Sequence, residues 1–299
     1  MGKVPPRILK ETVFKSLGFK REDVIVGPSE GEDAAIIRIG KDLVAVHCDP
    51  ISGAYHNIGW IAMNVATNDI ATRGVKPSWA LTCVMLPEGS RKKDLVTICR
   101  QMGKAAEKLK VSIIGGHSEV TMGLNHPLVV VTVFGLAQGG KYVTTGRAKP
   151  GSKIILTKSI GIEGTAILAF DMEKLLVERF GDEFVDRAKG FFDKISILKE
   201  ALLAFDNGGV LAMHDPTEGG VAGGLNEMAD ASKTGFKVYE DRIPVKNETS
   251  KIFFDNSDVV DQRASLGRGA RCRKTDRYCR LQKPNLWLLR QVDRASETK

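Results

Sequence analysis

Ile58-Gly59-Trp60-Ile61-Ala62-Met63-Asn64-Val65-Ala66-Thr67-Asn68-Asp69-Ile70-Ala71-Thr72-Arg73 is the segment from which the rest of the chain can be read. Ile58, Ile61, Ala62 and Val65 recur at offsets of 3, 4 and 7 and so share one face of a helix. Gly74 closes that helix and Lys76-Pro77 stops it. Asp69 falls on the apolar face one turn beyond Val65, where a carboxylate is costly unless it is paired or bound to a metal. Asn64 and Asn68 lie alongside it at i, i+4. The three polar groups are either part of a functional site or a buried hydrogen-bond network.

Outward from this helix the periodicity alternates. Upstream, Ile8–Leu17 reads as a short helix, and Ala34–Ile39 and Leu43–His47 as strands around the turn Gly40-Lys41-Asp42. Downstream, Trp79–Leu86 is a strand and Arg91–Lys110 an amphipathic helix; Val111–Ile114 and the valine-rich Leu128–Ala137 are further strands. The pattern predicts a mixed α/β first domain over residues 1–147. Pro150-Gly151 marks the linker to a second α/β domain over 148–250. There, strands are predicted at Lys153–Thr157, Val210–Met213 and Phe236–Tyr239. Helices are predicted within Glu163–Phe180, Phe184–Phe205 and Val221–Ala231. After Lys251 the patterning fails, so the second domain reads as truncated or altered. The stretch Gln262–Arg280 has no period and is dense in arginine. Residues 251–299 read either as a disordered basic tail or as the product of a reading-frame change near Ile252.

Composition narrows the function classes. The chain has 299 residues, enough for two domains of roughly 150 residues each. Hydrophobic residues make up 42% of it, and no apolar run approaches the ~18 residues of a membrane span. Met1–Lys20 has no signal-type apolar stretch, so a cytoplasmic protein is expected. The five cysteines, Cys48, Cys83, Cys99, Cys272 and Cys279, form no C-x-x-C pair, which argues against a disulfide framework or zinc knuckle. Of the formal charge of +8, most sits at one end: residues 251–299 carry 12 Lys and Arg against 6 Asp and Glu, leaving 32 against 30 elsewhere. Nucleic-acid binding through that tail is a rival reading, weakened by residues 256–299 having only Tyr278 and Trp287 as ring-bearing side chains.

Five further constellations can carry chemistry. Gly27-Pro28-Ser29-Glu30-Gly31-Glu32-Asp33-Ala34-Ala35 is a glycine-containing loop running into two acids; it could close over phosphates while Asp33 faces magnesium, or be an ordinary acidic turn. His47-Cys48-Asp49-Pro50 ends a strand in an acid that is either a ligand or a turn residue. Gly115-Gly116-His117-Ser118-Glu119 follows a strand; its glycines would let backbone approach a ligand, with His117 and Glu119 projecting from the strand exit. In the second domain, Lys158 and Gly161-Ile162-Glu163-Gly164-Thr165 form a strand-to-helix turn able to receive an anion, and His214-Asp215-Pro216-Thr217-Glu218-Gly219-Gly220 precedes a helix that Asp215 and Thr217 could equally cap. Gly135-x-x-x-x-Gly140-Lys141 is no P-loop, because Tyr142 stands where a Ser or Thr should hold magnesium. Neither a dinucleotide fingerprint nor a G-x-S-x-G elbow occurs.

The order Gly31-Glu32-Asp33-Ala34-Ala35, Cys48-Asp49-Pro50, Asn68-Asp69-Ile70-Ala71, Gly115–Glu119, Lys149-Pro150-Gly151 and Asp215–Gly220 resembles the superfamily of aminoimidazole ribonucleotide synthetase (PurM), thiamine-monophosphate kinase, selenophosphate synthetase and the hydrogenase-maturation protein HypE. Gly115–Glu119, with Gly161–Ala166 and Asp215–Gly220, looks closest to HypE-like proteins. The resemblance implies a two-domain PurM/HypE-like fold whose N-terminal sheet pairs with a second subunit, with ATP and magnesium near the dimer interface. By the same inference Asp33, Asp49, Asp69, Glu119 and Asp215 are metal positions, and Gly31, Glu32, Asp33, Asn68, Gly115, Gly116, Glu119, Lys158 and Gly161 cradle the nucleotide. Asp49, Asp69, His117 and Asp215 are then the catalytic set. Glu32 stands where the family has aspartate. HypE uses ATP to dehydrate a carrier-bound thiocarboxamide on its own C-terminal cysteine, whereas this chain ends Ser296-Glu297-Thr298-Lys299. It therefore either lost that tail or belongs to a HypE-related branch with another amide-bearing substrate. The alternatives are a cyclo-ligase or small-molecule kinase activity, or a nucleotide-binding scaffold without turnover. A maturation-protein partner is an expectation of the HypE reading.

Overall fold

In the computed structural model, residues 4–29, 31–54, 56–217 and 219–255 are described. The stretch 262–280, and with it both readings of the basic end, lies outside them.

The first domain is built on one six-stranded sheet. After α1 (Pro6–Glu11), the chain forms β1 (Val24–Val26), β2 (Ala35–Ile39) and β3 (Asp42–Ile51), then α2 (Ile58–Ala71), β4 (Trp79–Leu86), α3 (Lys92–Leu109), β5 (Ser112–Val120) and β6 (Leu128–Ala137). The sheet order is β1-β2-β3-β6-β4-β5, antiparallel throughout except for the parallel pair β4 and β5, which α3 connects. Strict alternation decides which face is covered. Val129, Val131 and Val133 of β6 are fully buried on the helix side with Ala45, Ala80 and Val84, and they pack against Ile58, Ala62, Met63, Ala66 and Ile70 of α2. The opposite face is bare: Trp79, Leu81 and Leu136 are exposed.

Asp69 is buried, as the helical pattern predicts, but α2 is enclosed on all sides rather than on one. Its second flank, Ile61 and Val65, packs with Ala166, Phe191, Phe192 and Ile195 of the second domain. Two-sided burial also accounts for the polar residues. Asn64 donates to the Trp60 carbonyl, and Thr67 to those of Met63 and Asn64, so each is satisfied within the helix.

The second domain holds α4 (Ile162–Asp171), α5 (Glu173–Phe180), α6 (Asp182–Lys189), α7 (Leu198–Asp206), α8 (Gly220–Ser232) and α9 (Asn247–Ser250). The helices expected from the pattern are present, broken into shorter pieces at Met172 and Gly181. The three expected strands are not. Among the described residues, Lys153–Thr157, Val210–Met213 and Phe236–Tyr239 join no ladder; only single bridges, Thr144 to Ala212 and Ile160 to Val245, are made. Extended segments become strands only beside a partner edge, and here Ile154 and Ile155 remain exposed. The Gly115–Glu119 expectation is also corrected: these residues lie inside β5, on the sheet edge, not at a strand exit. No helix among the described residues is long and apolar enough to cross a membrane.

Candidate active site

Two clusters of acid and imidazole form where the domains meet. In the first, His47 and Asp49 stand two residues apart on β3 and therefore share its helix-facing side, while Asp69 reaches them from α2. Their donor atoms lie within 4.8 Å of one another, with His47 Nε2 3.2 Å from Asp69 Oδ2. Glu163, in the first turn of α4, lies close enough to Asp49 to feel its charge from the second domain. Burial, and then the negative charge of Asp49, push its carboxyl up to about 7. Carboxylates gathered this closely repel each other, and a bound cation would relieve that repulsion.

The second cluster is Asp33, His214 and Asp215. Arg73, fully buried at the end of α2, donates to Glu32 and, at 2.9 Å, to Asp33. Its Nη2 also reaches Thr145 Oγ1 at 3.0 Å and the Met213 carbonyl at 3.2 Å. His214 Nδ1 lies 2.6 Å from Asp33 and its Nε2 2.7 Å from Glu227 of α8. Burial alone would lower the His214 pKa, but the bonds to Asp33 and Glu227 outweigh it and raise the value to about 10, so the ring is an imidazolium. Gly31 lets the loop come this close, since a Cβ there would sit 3.1 Å from the Glu227 carbonyl. Thr72 ties the clusters together, donating to Asp33 at 3.0 Å and to the Asp69 carbonyl at 2.8 Å.

The candidate acids thus converge, in two adjoining groups rather than one. Asp49 and Asp69 belong to the first, Asp33 and Asp215 to the second. Glu119 and His117 belong to neither. Asp49 is in register with Val131, Thr82 and Gly116 across the sheet, whereas His117 is in register with Cys83 and Val130 on the bare face. His117 Nε2 bonds Glu119 at 3.1 Å, and both side chains are exposed there. Within one chain the pair cannot reach an ion held by Asp49.

Five other residues expected at the nucleotide have protein partners instead. Gly116 is close to backbone, but that backbone is β4: a Cβ would fall 1.8 Å from the Thr82 carbonyl. Gly115 lies in the same edge strand, away from the acids. The Asn68 amide donates to the Ile195 carbonyl at 3.1 Å and accepts from the Ile197 N–H at 2.9 Å, holding the second domain rather than facing Asp49. Lys158 binds the carbonyls of Lys194 and Ser196 and the Glu200 carboxylate, and Gly161 makes room for Thr249 of α9. His47, Glu163 and His214 stand in motifs singled out above but carried no role of their own there, and Arg73 and Glu227 are missed by sequence reasoning. His47 was findable from its two-residue spacing to Asp49; the others become visible only once the domains pack.

Residues 31–137 match the family model for the N-terminal domain of AIR synthase related proteins, and 149–264 match that for the C-terminal domain. A Methanocaldococcus jannaschii protein named for hydrogenase expression/formation is 30% identical over 256 residues, 84% of this chain and 74% of that one. The chain belongs to the AIR synthase related family. The carbamoyl dehydratase HypE of Bradyrhizobium diazoefficiens is 33% identical over 192 residues, 64% of this chain and 53% of its own length. The chain thus spans little more than half of several of the curated family members it matches. Two solved structures share the family's two-domain PurM-like fold. HypE in a HypE–HypF complex has a TM-score of 0.61 at 23% identity, covering 87% of this chain and 78% of that one. HypE in complex with ATP has a TM-score of 0.58 at 24% identity, covering 87% and 72%.

Proposed function

We propose that this chain is an ATP- and magnesium-dependent enzyme of HypE type, which activates an amide-like oxygen by phosphoryl transfer. The observation that carries the reading is the meeting of His47, Asp49 and Asp69 of the first domain with Glu163 of the second. Asp49 and Asp69 would hold the ion, with Asp33 and Asp215 beside them; a divalent cation there supplies neutralisation of the nucleotide's phosphate charge. ATP is supported by the ATP complex of HypE, and the reaction type by the name carbamoyl dehydratase carried by relatives. In the proposed reaction the amide oxygen attacks the γ-phosphorus and ADP leaves. The C–O bond then breaks as phosphate departs and a C–N multiple bond forms. The chain's own groups contribute positioning and a preorganised field, the main terms in such transfers. Glu163, with a pKa near neutrality, can hold or release a proton at that site.

The same reading includes a homodimer, a first domain over 1–147, a second over 148–250 and a distinct basic end over 251–299. The bare sheet face, with Trp79, Leu81 and Leu136, suits a second copy of the chain. His117 and Glu119 on that face would then meet the nucleotide only across the interface. The substrate is an amide-bearing small molecule or modified cysteine, and the HypE–HypF complex supports a maturation-protein partner. Calorimetric titration with ATP tests the proposal. Binding should need magnesium and be lost in EDTA; affinity indifferent to EDTA and to Asp49→Ala would overturn it.

A further inference from the structure

We infer that the His47–Asp49–Asp69 cluster binds its cation through the His47 imidazole as well as through carboxylates, and so holds a manganese-, cobalt- or zinc-type ion more tightly than carboxylates alone would, while still accepting magnesium. The inference rests on the cation-site reading above and goes beyond it in naming the donor and the ion class. Three observations carry it. His47 and Asp49 project from the same face of β3, so the ring cannot turn to the bare side of the sheet without breaking the strand's alternation. Nε2 already points at the carboxylate oxygen of Asp69, 3.2 Å away, and all three donors fall within 4.8 Å, the span of one coordination shell. Both side chains are largely enclosed, at 18% and 11% exposure, so solvent does not compete freely for the position.

Ligand chemistry then ranks the ions. Magnesium demands near-ideal octahedral oxygen coordination and keeps its waters, whereas an imidazole nitrogen among carboxylates suits manganese, cobalt or zinc. The neighbouring cluster does not share this property. Both ring nitrogens of His214 are committed to carboxylates, Asp33 on one side and Glu227 on the other, which leaves that ring no lone pair for a metal. Of the two clusters, the one containing His47 is therefore the imidazole site. The competing arrangement is a ring that only donates to Asp69 and orients it from behind.

Pulsed electron paramagnetic resonance on the full chain loaded with Mn²⁺, without nucleotide, separates these. The expected spectrum has directly coordinated ¹⁴N modulation, which changes to the ¹⁵N pattern when the protein is made with ¹⁵N-histidine and needs no variant. His47→Gln should remove the modulation and weaken Mn²⁺ binding by about ten-fold or more while changing Mg²⁺ affinity far less. Bound Mn²⁺ without nitrogen modulation, or modulation that survives His47→Gln, would overturn the inference while leaving the acid site intact. Mn²⁺ binding that ignores Asp49→Ala would overturn both.

Discussion

His214 Nδ1 stands 2.6 Å from Asp33 Oδ1, and this bond joins the loop before β2 to the segment before α8, two pieces of chain from different domains. With Glu227 on its other nitrogen, the ring is raised from an ordinary 6.5 to about 10. A group whose folded value is raised stabilises the fold fully below its unfolded value and loses that contribution as pH climbs through the folded one. The melting-temperature gap between the wild type and His214→Gln should therefore be widest below about pH 6.5 and close as pH approaches 10. Differential scanning calorimetry across that range checks it; a gap that grows with pH contradicts it.

Arg73→Ala leaves Glu32 and Asp33 beside a void that held their cation, and removes bonds to Thr145 and Met213. Removing one partner of a buried ion pair typically costs about 3–5 kcal/mol. Denaturant unfolding should show a loss of that order. Arg73→Lys should recover only part, because an ammonium cannot match the guanidinium's fork.

Much of the first domain was legible because its strands alternate. Trp79–Leu86 and Leu128–Ala137 occur as expected, with Val129, Val131 and Val133 of β6 at zero exposure. The pattern predicts only four residues of β5 because Gly115 and Gly116 look like a break, yet the missing side chain of Gly116 is what lets β5 lie against Thr82. The second-domain strands failed for a different reason: Ile154 and Ile155 have strand-forming character, but pairing depends on a neighbour that local sequence does not specify. In the site, Asp49 and Asp69 were legible as acids ending a strand and interrupting an apolar face. Arg73 and Glu163 were not, because their partners lie across the domain boundary or in a distant loop. His117 and Glu119 misled because a strand's parity, not its motif, decides which side of a sheet a residue serves.

Gly116→Ala puts a methyl group 1.8 Å from the Thr82 carbonyl, a contact that backbone cannot relieve without moving β5. The variant should lose protection of the β5 amides in hydrogen exchange, with α2 and β3 little affected. Unchanged protection would show that the edge strand has room the structure denies it.

Leu81→Asp places a charge in the middle of the bare sheet face, beside Cys83 and Thr132. Analytical ultracentrifugation should find the wild type dimeric and the variant monomeric, with the variant's circular dichroism unchanged. A wild-type monomer at micromolar concentration would remove the shared-face element of the reading.

The most direct test of the metal–nucleotide site is a crystal of the chain grown with Mn²⁺ and a non-hydrolysable ATP analogue, measured at the manganese absorption edge. The account predicts an anomalous peak in contact with Asp49 and Asp69, with the triphosphate touching the same ion. A peak only on the outer sheet face near His117 and Glu119, or none near the β3 and α2 acids, would contradict it.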